Sequence, residues 1–225
     1  MGRPLAVVCV SGGMDSAVTA ALAGADHRMA FLHANYGQRT EAREVRCFEA
    51  LADHFGAEAR LVVDFPALRA IGGSSLTDAS IPVREGSPVE GVIPTSYVPF
   101  RNAHLLSASA SWAEVLGATA IFVGAVWEDS SGYPDCRPVF YEAFEEAIRQ
   151  GTRPETEIRI VTPVIGLTKA QIVARGVELK VPFEKTWSCY QSEERACGVC
   201  ESCALRLKGF AEAGVRDPIP YRDQA

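Results

Sequence analysis

The chain has 225 residues, of which 48% are hydrophobic, and it carries a formal net charge of −6. This length predicts one domain with at most a small appendage, and the hydrophobic share is sufficient for a full core. The acidic balance argues against nonspecific nucleic-acid binding, and no apolar run is long enough for a membrane span or a signal peptide. We therefore expect a cytoplasmic protein that binds neither membranes nor nucleic acid.

The first recognisable motif is an apolar run, Val7–Val10, that leads through Ser-Gly-Gly into a helical pattern. Met14, Val18 and Leu22 recur at helical spacing after the turn. A strand that enters a helix through glycines lets backbone N–H groups approach an anion, and the helix N-terminus adds partial positive charge. Neither the lysine of a Walker A loop nor the third glycine of a dinucleotide fingerprint is present. The motif therefore predicts a phosphate loop of another kind.

Strands and helices alternate along most of the remaining chain. Further strands are predicted at Met29–His33, Ala59–Val63, Ala120–Val123 and Ile158–Val161. Helices are predicted between them; Gly56 and Gly117 end two of these, and a Thr168–Gln171 capping box opens another that runs through Leu179. This alternation predicts an α/β protein with a parallel sheet and right-handed crossovers.

Two stretches interrupt this alternation and are candidates for binding loops. Residues 64–99 contain four prolines before Pro99 and a Gly-Gly-Ser-Ser turn, so we expect a lid or an excursion on the substrate side, with a tolerated surface insertion as the alternative. The polar loop at 124–138 follows the fourth predicted strand. Loops at the carboxyl ends of parallel strands are where such sheets bind ligands.

Four of the seven cysteines follow the spacing C-x7-C-x2-C-x2-C, at Cys189, Cys197, Cys200 and Cys203. This spacing predicts a tetrahedral Zn²⁺ site, which would be structural because a closed set of four thiolates leaves no position for substrate. An iron–sulfur cluster is the main alternative, and disulfides are the third. Cys9 and Cys47 fit core positions, whereas Cys136 lies in the binding loop and could be reactive.

The stretch Ser11-Gly-Gly-Met-Asp-Ser16 resembles the pyrophosphate loop of the ATP pyrophosphatases, which activate a substrate oxygen as an adenylate. The resemblance implies an adenine-nucleotide alpha hydrolase-like, Rossmann-like three-layer sandwich over residues 1–166 and a small C-terminal helical, zinc-binding subdomain over 167–225. It also implies that Asp15 holds Mg²⁺. The implied ATP-binding residues are Val10, Ser11, Gly12, Gly13, Met14, Asp15, Ser16 and Ala17.

Several stretches together resemble one family, the 7-cyano-7-deazaguanine synthases of queuosine biosynthesis. They are Ser11–Ser16, Tyr36–Arg39, Tyr97–Asn102, Ser131–Arg137, Leu167–Ala170, Thr186–Tyr190 and Cys197–Cys203. The resemblance implies a homodimeric ligase that converts 7-carboxy-7-deazaguanine and ammonia to the 7-cyano compound at the expense of ATP. The carboxylate would be adenylated and displaced by ammonia, and the resulting amide would be adenylated again to leave a nitrile.

Specific residues follow from this resemblance. Arg101 and Lys169 are the candidate cations beside the developing phosphate charge, and Asp15 completes the catalytic set. The base would be held by polar groups and aromatic faces in the binding loop and near the cysteines. The candidate substrate contacts are Trp127, Ser131, Tyr133, Asp135 and Trp187. Trp187 has a second interpretation, which is packing over the cysteine knuckle.

Three other functions remain open at this stage. A tRNA thiolase of the same superfamily would need a basic surface and a sulfur-relay cysteine, for which only Cys136 is available. A transferase of the deazaguanine group is kept open by the unusual loop at 127–130, and further departures from the family pattern at Ala34, Asn35 and Phe100 could reshape the nucleotide or base pocket. A non-catalytic zinc-containing regulator is the third, and the absence of pyrophosphate release would identify it.

Overall fold

The computed structural model describes residues 2–89, 91–127 and 132–222. Within these ranges five strands form one parallel sheet in the order β3-β2-β1-β4-β5. The strands are β1 Leu5–Cys9, β2 Arg28–Asn35, β3 Ala59–Asp64, β4 Ala120–Val123 and β5 Arg159–Val161. The predicted parallel sheet is confirmed, and each predicted strand lies within about two residues of the observed bounds.

Helices connect the strands and cover both faces of the sheet. In the described ranges they are α1 Met14–Asp26, α2 Glu41–Phe55, α3 Pro66–Ile71, α4 Arg101–Leu116, α5 Pro138–Gly151, α6 Lys169–Glu178 and α7 Glu201–Glu212. Gly56 and Gly117 end α2 and α4 in the left-handed conformation, as predicted. The Thr168–Gln171 capping box at the start of α6 is also present.

Successive residues of β1 enter two different cores, because side chains along a strand point alternately to opposite faces. Val8 packs in a core formed with α1, α2, α6 and α7, whereas Val7 packs in a second core with α4 and α5. β1 is therefore buried on both faces, which explains its continuous apolar sequence. These two cores make the molecule a three-layer α/β sandwich.

The chain runs outward from β1 to β3 and then returns to the other side of β1 at β4. This reversal places the carboxyl ends of β1 and β4 at a switch point, where open parallel sheets bind ligands. Gly124 directly follows β4 and lies against the first turn of α1, because a Cβ there would be 2.8 Å from the backbone N of Ser16. The glycine loop and the loop after β4 therefore meet at one edge of the sheet.

The C-terminal part continues the core of the α/β layers. Ile172 and Val173 of α6 and Phe210 of α7 belong to the same buried cluster as α1. A Cβ on Gly176 would overlap both Phe183 and Val18, so this glycine allows α6 to pack closely on α1. The boundary between 166 and 167 stays a prediction. Among the described residues, no helix has the length and apolar character that crossing a membrane requires.

The excursion at 64–99 contains α3, which the sequence analysis did not predict, and is otherwise irregular in its described part. Its central part is fixed to the cysteine-rich segment. Glu85 bridges Cys200, Gly86 N donates to the carbonyl of Val199 at 2.8 Å, and Glu201 N donates to Arg84 O at 3.2 Å. The excursion is therefore anchored where the four cysteines lie.

Candidate active site

A cavity of about 260 Å³ lies at the switch point between β1 and β4. The glycine loop forms one side of it, and Gly12 and Ala17 are the two predicted ATP-binding residues that do not line it. The loop residues in its wall are Val10, Ser11, Gly13, Met14, Asp15 and Ser16. Arg101, Lys169 and Cys136 line the same cavity. The fold thus brings together residues that lie far apart in the sequence.

The glycine loop is held in a compact conformation by its own hydroxyl groups. Ser11 Oγ accepts from Gly13 N at 3.3 Å, and Ser16 Oγ donates to Gly13 O at 3.0 Å. Gly12 has φ +83°, and a Cβ on it would lie 2.8 Å from the carbonyl oxygen of Glu44. The first N–H groups of α1 have no intrahelical acceptor, so this end of the helix favours an anion.

Asp15 and Lys169 form an ion pair beside the loop, with Lys169 Nζ 2.7 Å from Asp15 Oδ2. The Lys169 side chain is only 9% exposed, so it is not the solvated helix-end lysine that its position in the sequence would permit. Asp15 Oδ1 is buried and has no hydrogen-bond partner among the described residues. An unpartnered carboxylate oxygen at a phosphate loop is the type of ligand that Mg²⁺ prefers.

Arg101 lies among tyrosines at another part of the cavity wall. Its Nη1 donates to the hydroxyl of Tyr36 at 2.8 Å, and its guanidinium lies 5.3 Å and 6.0 Å from the ring centroids of Tyr36 and Tyr133. Burial alone would lower the pKa of Arg101, but Tyr36, Tyr133 and Asp135 raise it, and the net pKa lies above its ordinary value. Arg101 therefore stays charged in a mostly aromatic environment.

Only some of the predicted substrate contacts line the cavity. Tyr133 and Trp187 line the cavity, and the Tyr133 hydroxyl donates to Ser96 Oγ at 2.9 Å. Trp127 is 40% exposed and does not line the cavity. Ser131 lies outside the described residues.

Asp135 is buried, and one of its carboxylate oxygens caps the start of α4. Its Oδ2 accepts from Asn102 N at 2.9 Å, and Asn102 Nδ2 donates to the backbone oxygen of Asp135 at 2.9 Å. The carboxylate therefore satisfies a free N–H at the start of α4, next to Arg101. Asp135 is not among the residues that line the cavity.

Glu44 lines the cavity although the sequence analysis did not select it. Its Oε1 accepts from Thr40 Oγ1 at 2.8 Å, and its Oε2 accepts from Gln38 Nε2 at 3.1 Å. Burial raises the pKa of Glu44 to about 7, although these hydrogen bonds and the charge of Arg101 lower it. A glutamate in the first turn of a helix is usually solvated, so its position in the sequence gave no signal.

Arg206 is a second cavity residue that the sequence analysis missed. It is 1% exposed and makes a bidentate ion pair with Asp217, with N–O distances of 2.7 Å and 2.9 Å. Its Nη1 also donates to Thr186 Oγ1 at 2.8 Å. These contacts join α7 to the segments before and after it.

The four predicted metal ligands are brought together. Cys189, Cys197, Cys200 and Cys203 are all buried, and their sulfur atoms lie within 4.8 Å of one another. Cys197 N donates to Cys189 Sγ and Cys200 N donates to Cys197 Sγ, both at 3.3 Å. All seven cysteines are free, so the disulfide alternative is wrong. The cluster can hold a metal ion, and Trp187 packs against it as well as lining the cavity.

The three-layer sandwich and the glycine loop at its switch point define an adenine-nucleotide alpha hydrolase-like protein. The family model described as queuosine biosynthesis protein QueC matches residues 5–214. The chain belongs to this family.

Curated relatives agree with this assignment, and a solved structure shares the fold. The 7-cyano-7-deazaguanine synthase of Chlorobaculum parvum is 59% identical over 217 residues, 96% of each chain. That of Chlorobaculum tepidum is 59% identical over 220 residues, again 96% of each chain. The U34-tRNA thiolase NcsA from Methanococcus maripaludis, solved with its [4Fe-4S] cluster, is 10% identical, with a TM-score of 0.52 over 85% of this chain and 61% of that one. This last similarity concerns the fold alone.

Proposed function

We propose that the protein is an ATP-dependent ligase that converts 7-carboxy-7-deazaguanine and ammonia to 7-cyano-7-deazaguanine. The observation that carries this proposal is one cavity that holds both the glycine loop with the Asp15–Lys169 pair and the charged Arg101 among tyrosines. The first group suits the phosphates of ATP, and the second suits an aromatic substrate with a carboxylate. The names of relatives at 56–59% identity support the same reaction.

The reaction needs two activations of one carbon. In the first, the substrate carboxylate attacks the α-phosphate of ATP, pyrophosphate leaves, and ammonia then displaces AMP to give an amide. In the second, the amide oxygen is adenylated and AMP leaves with loss of two protons from nitrogen, which yields the nitrile. Each adenylation increases negative charge at phosphate oxygens, and fixed cations in a water-poor cavity stabilise such charge most effectively.

We assign the phosphates to the loop residues Ser11–Ser16 and the developing charge to Lys169, with Arg101 holding the substrate carboxylate. Bidentate guanidinium–carboxylate pairing makes arginine well suited to that task. Asp15 Oδ1 is the ligand we assign to Mg²⁺, which when bound would neutralise phosphate charge. Tyr133 and Trp187 would contribute aromatic surface to the base.

We assign a structural Zn²⁺ to the four cysteines. A tetrahedral site with Zn–S bonds of about 2.3 Å places its sulfur atoms about 3.8 Å apart. The distance between Cys197 Sγ and Cys203 Sγ is 3.9 Å, and all four sulfurs lie within 4.8 Å of one another. In a [4Fe–4S] cluster each thiolate binds a different iron, which requires wider spacing. The observed spacing therefore favours a single ion.

Two further proposals concern the protein in its cell. We propose a homodimer, following the resemblance noted from the sequence motifs. We also propose that the protein works in the cytoplasm, because its seven cysteines are all free and a reduced thiolate cluster is stable in a reducing compartment.

Pyrophosphate release tests the proposed reaction directly. With ATP, Mg²⁺ and ammonia, we expect release only when 7-carboxy-7-deazaguanine is added, together with a product whose mass is that of the nitrile. Asp15→Asn should lower the rate by about 100-fold or more, because it removes the charge next to the phosphates and Lys169. Asp26→Asn, at the exposed end of the same helix, is the control and should keep full activity. No pyrophosphate with this substrate would contradict the proposal.

The tRNA thiolase alternative is disfavoured by the chemistry of Cys136. Burial raises the pKa of this thiol to about 11, with Asp135 contributing in the same direction. A sulfur relay needs a reactive thiolate, which is found where the pKa is lowered by cations or a helix N-terminus. Cys136 therefore fits a half-buried wall residue rather than a sulfur carrier.

A further inference from the structure

Glu44 is an acidic side chain in the cavity wall that the proposed reaction does not yet use. Among the described residues, Asp15 and Glu44 supply the carboxylates that line the cavity. Asp15 is paired with Lys169 at the glycine loop. Asp135, the predicted contact for the base, caps α4 through Asn102 N and does not line the cavity. Glu44 is thus the cavity carboxylate that is neither ion-paired nor used as a cap.

The hydrogen bonds of Glu44 leave room for a ligand on both oxygens. Thr40 donates to Oε1 and Gln38 donates to Oε2, one bond each. An ionised carboxylate has about four acceptor positions, two on each oxygen. One acceptor position per oxygen is therefore available, and the two existing bonds hold the side chain in a fixed orientation.

The surroundings of Glu44 suit a flat, polar-edged ligand. The cavity wall that contains Glu44 also contains Tyr36, Tyr190 and Trp187, and the charge of Arg101 acts on Glu44 from α4. Aromatic side chains offer faces against which a fused-ring base can lie. The edge of a base bound there would face the Glu44 carboxylate and the Arg101 guanidinium.

We infer that Glu44 recognises the guanine-type edge of the substrate by accepting hydrogen bonds from its ring N1–H and its 2-amino group. These two donors are adjacent and parallel, which matches the two free acceptor positions of one carboxylate. The inference rests on the proposed function and assigns the specificity of that site. Glu44 then selects a base with two donors on this edge, and Arg101 holds the carboxylate that is activated.

The test compares two substrates in wild-type protein and in Glu44→Gln. One substrate is 7-carboxy-7-deazaguanine, and the other is the analogue in which hydrogen replaces the 2-amino group. For wild-type protein we expect kcat/KM for pyrophosphate release to be about 100-fold lower with the analogue, because a hydrogen bond to a charged acceptor is lost. Glu44→Gln turns an amide N–H₂ toward one of the donors, so it should lose most activity with the natural substrate and retain little discrimination. The KM for ATP should not change.

A structural role for Glu44 would give a different result. If Glu44 only supports the turn at 36–40, Glu44→Gln would lower kcat/KM for both substrates by the same factor and leave the discrimination intact, which would overturn the inference. Glu41→Gln is the matched control, since Glu41 accepts from Gly37 N at 3.1 Å, one turn earlier in α2, and does not line the cavity. It should preserve the discrimination.

Two additional measurements keep the outcomes distinct. Glu44→Asp retains the charge and should retain part of the discrimination even if Glu44→Gln is poorly folded; complete retention of wild-type discrimination in all Glu44 variants would overturn the inference. Wild-type protein that releases pyrophosphate with both substrates equally would overturn the inference but not the proposed function. Wild-type protein that releases none with either would overturn both.

Discussion

At the scale of single residues, the cavity combines groups whose charge depends on burial. Glu44 is half-buried in the wall, and Arg101, Tyr36 and Glu41 face it from α4, from the turn after β2 and from its own helix. Cys47 lies one turn further along α2, and its pKa is raised by burial, so it stays neutral. Burial also raises the pKa of Tyr36 to about 12. Near neutral pH, Glu44 is therefore the group in this set that changes charge.

The ionisation of Glu44 predicts how kcat/KM for the substrate depends on pH. Glu44 must be ionised to accept two hydrogen bonds, and its pKa in the free protein is about 7. We expect kcat/KM for 7-carboxy-7-deazaguanine to fall as pH drops through about 7, because kcat/KM reports ionisation of the free enzyme. In Glu44→Gln this limb should disappear while the profile for ATP stays unchanged. A wild-type profile that is flat between pH 6 and 8 would contradict the role of Glu44.

Local sequence patterns predicted the residues whose role depends on local geometry. The glycine loop and the cysteine knuckle are short motifs, and the capping box at Thr168 needs only one helical turn. Glu44, Tyr190 and Arg206 enter the cavity because separate elements meet there, and no spacing along the chain encodes that meeting. Asp135 is a different case, since the sequence offered it as a substrate contact and gave no sign that its Oδ2 also accepts from Asn102 N at the start of α4.

At the scale of elements, Lys169 reaches Asp15 because α7 passes very close to the start of α6. Gly209 lies at this crossing, and a Cβ on it would be 2.7 Å from Lys169 Cβ and 3.0 Å from the Lys169 carbonyl carbon. Only a residue without a side chain lets the two helices approach this closely. The position of Lys169 is therefore set partly by a glycine on another helix.

Gly209→Ala should separate activity from stability. The added methyl must displace Lys169, so we expect pyrophosphate release to fall by about 10-fold or more, as small misplacements of reacting groups are costly. The intrinsic helix preference of alanine, about 1 kcal/mol, offsets part of an overpacking cost of about 1–3 kcal/mol, so the free energy of unfolding should fall by at most about 2 kcal/mol. The control is Gly151→Ala at the end of α5, where a Cβ meets nothing within 4 Å. Full activity of Gly209→Ala would contradict this account.

The strands were easier to predict than the excursion. Each strand is a buried apolar run, and burial of β1 on both faces makes its sequence unambiguous. The short helix α3, Pro66–Ile71, has proline at its first position and only Leu68 buried, so it lacks an apolar stripe that periodicity could detect. Leu68 instead packs with Tyr36 and Val98, which are distant in the sequence.

At the scale of the whole molecule, the cysteine cluster joins three separate parts of the chain. It packs with Val83 of the excursion and with Ile219 and Tyr221 beyond α7. Arg206 and Asp217 add a buried ion pair between α7 and the following segment. Structural zinc contributes on the order of 10 kcal/mol in small metal sites. Metal binding should therefore stabilise the excursion as well as the segment that carries the ligands.

Removal of the metal tests this connection. After treatment with a strong chelator, we expect a lower thermal midpoint and faster hydrogen exchange at 84–86 and at 197–203, while the strands β1 and β2 stay protected. Elemental analysis of the protein as purified should give one zinc per chain. Cys200→Ser should reproduce the loss, and Cys136→Ser, which does not touch the cluster, should keep the metal. Several irons per chain, or unchanged exchange at 84–86, would contradict the model of a single anchoring ion.

The contact between residues 84–86 and residues 199–201 also closes a long loop of the chain. Residues 84–86 precede β4 and β5 in the sequence, and residues 199–201 follow both strands. Contacts between such distant positions cost chain entropy, because the intervening residues must be held in a closed loop. The pairing of β1 with β4, which joins Ala6 to Ala120, closes a loop of similar length inside the sheet. A metal ion bound by the cysteines would offset part of this entropy, because it would fix one side of the contact before the other side arrives.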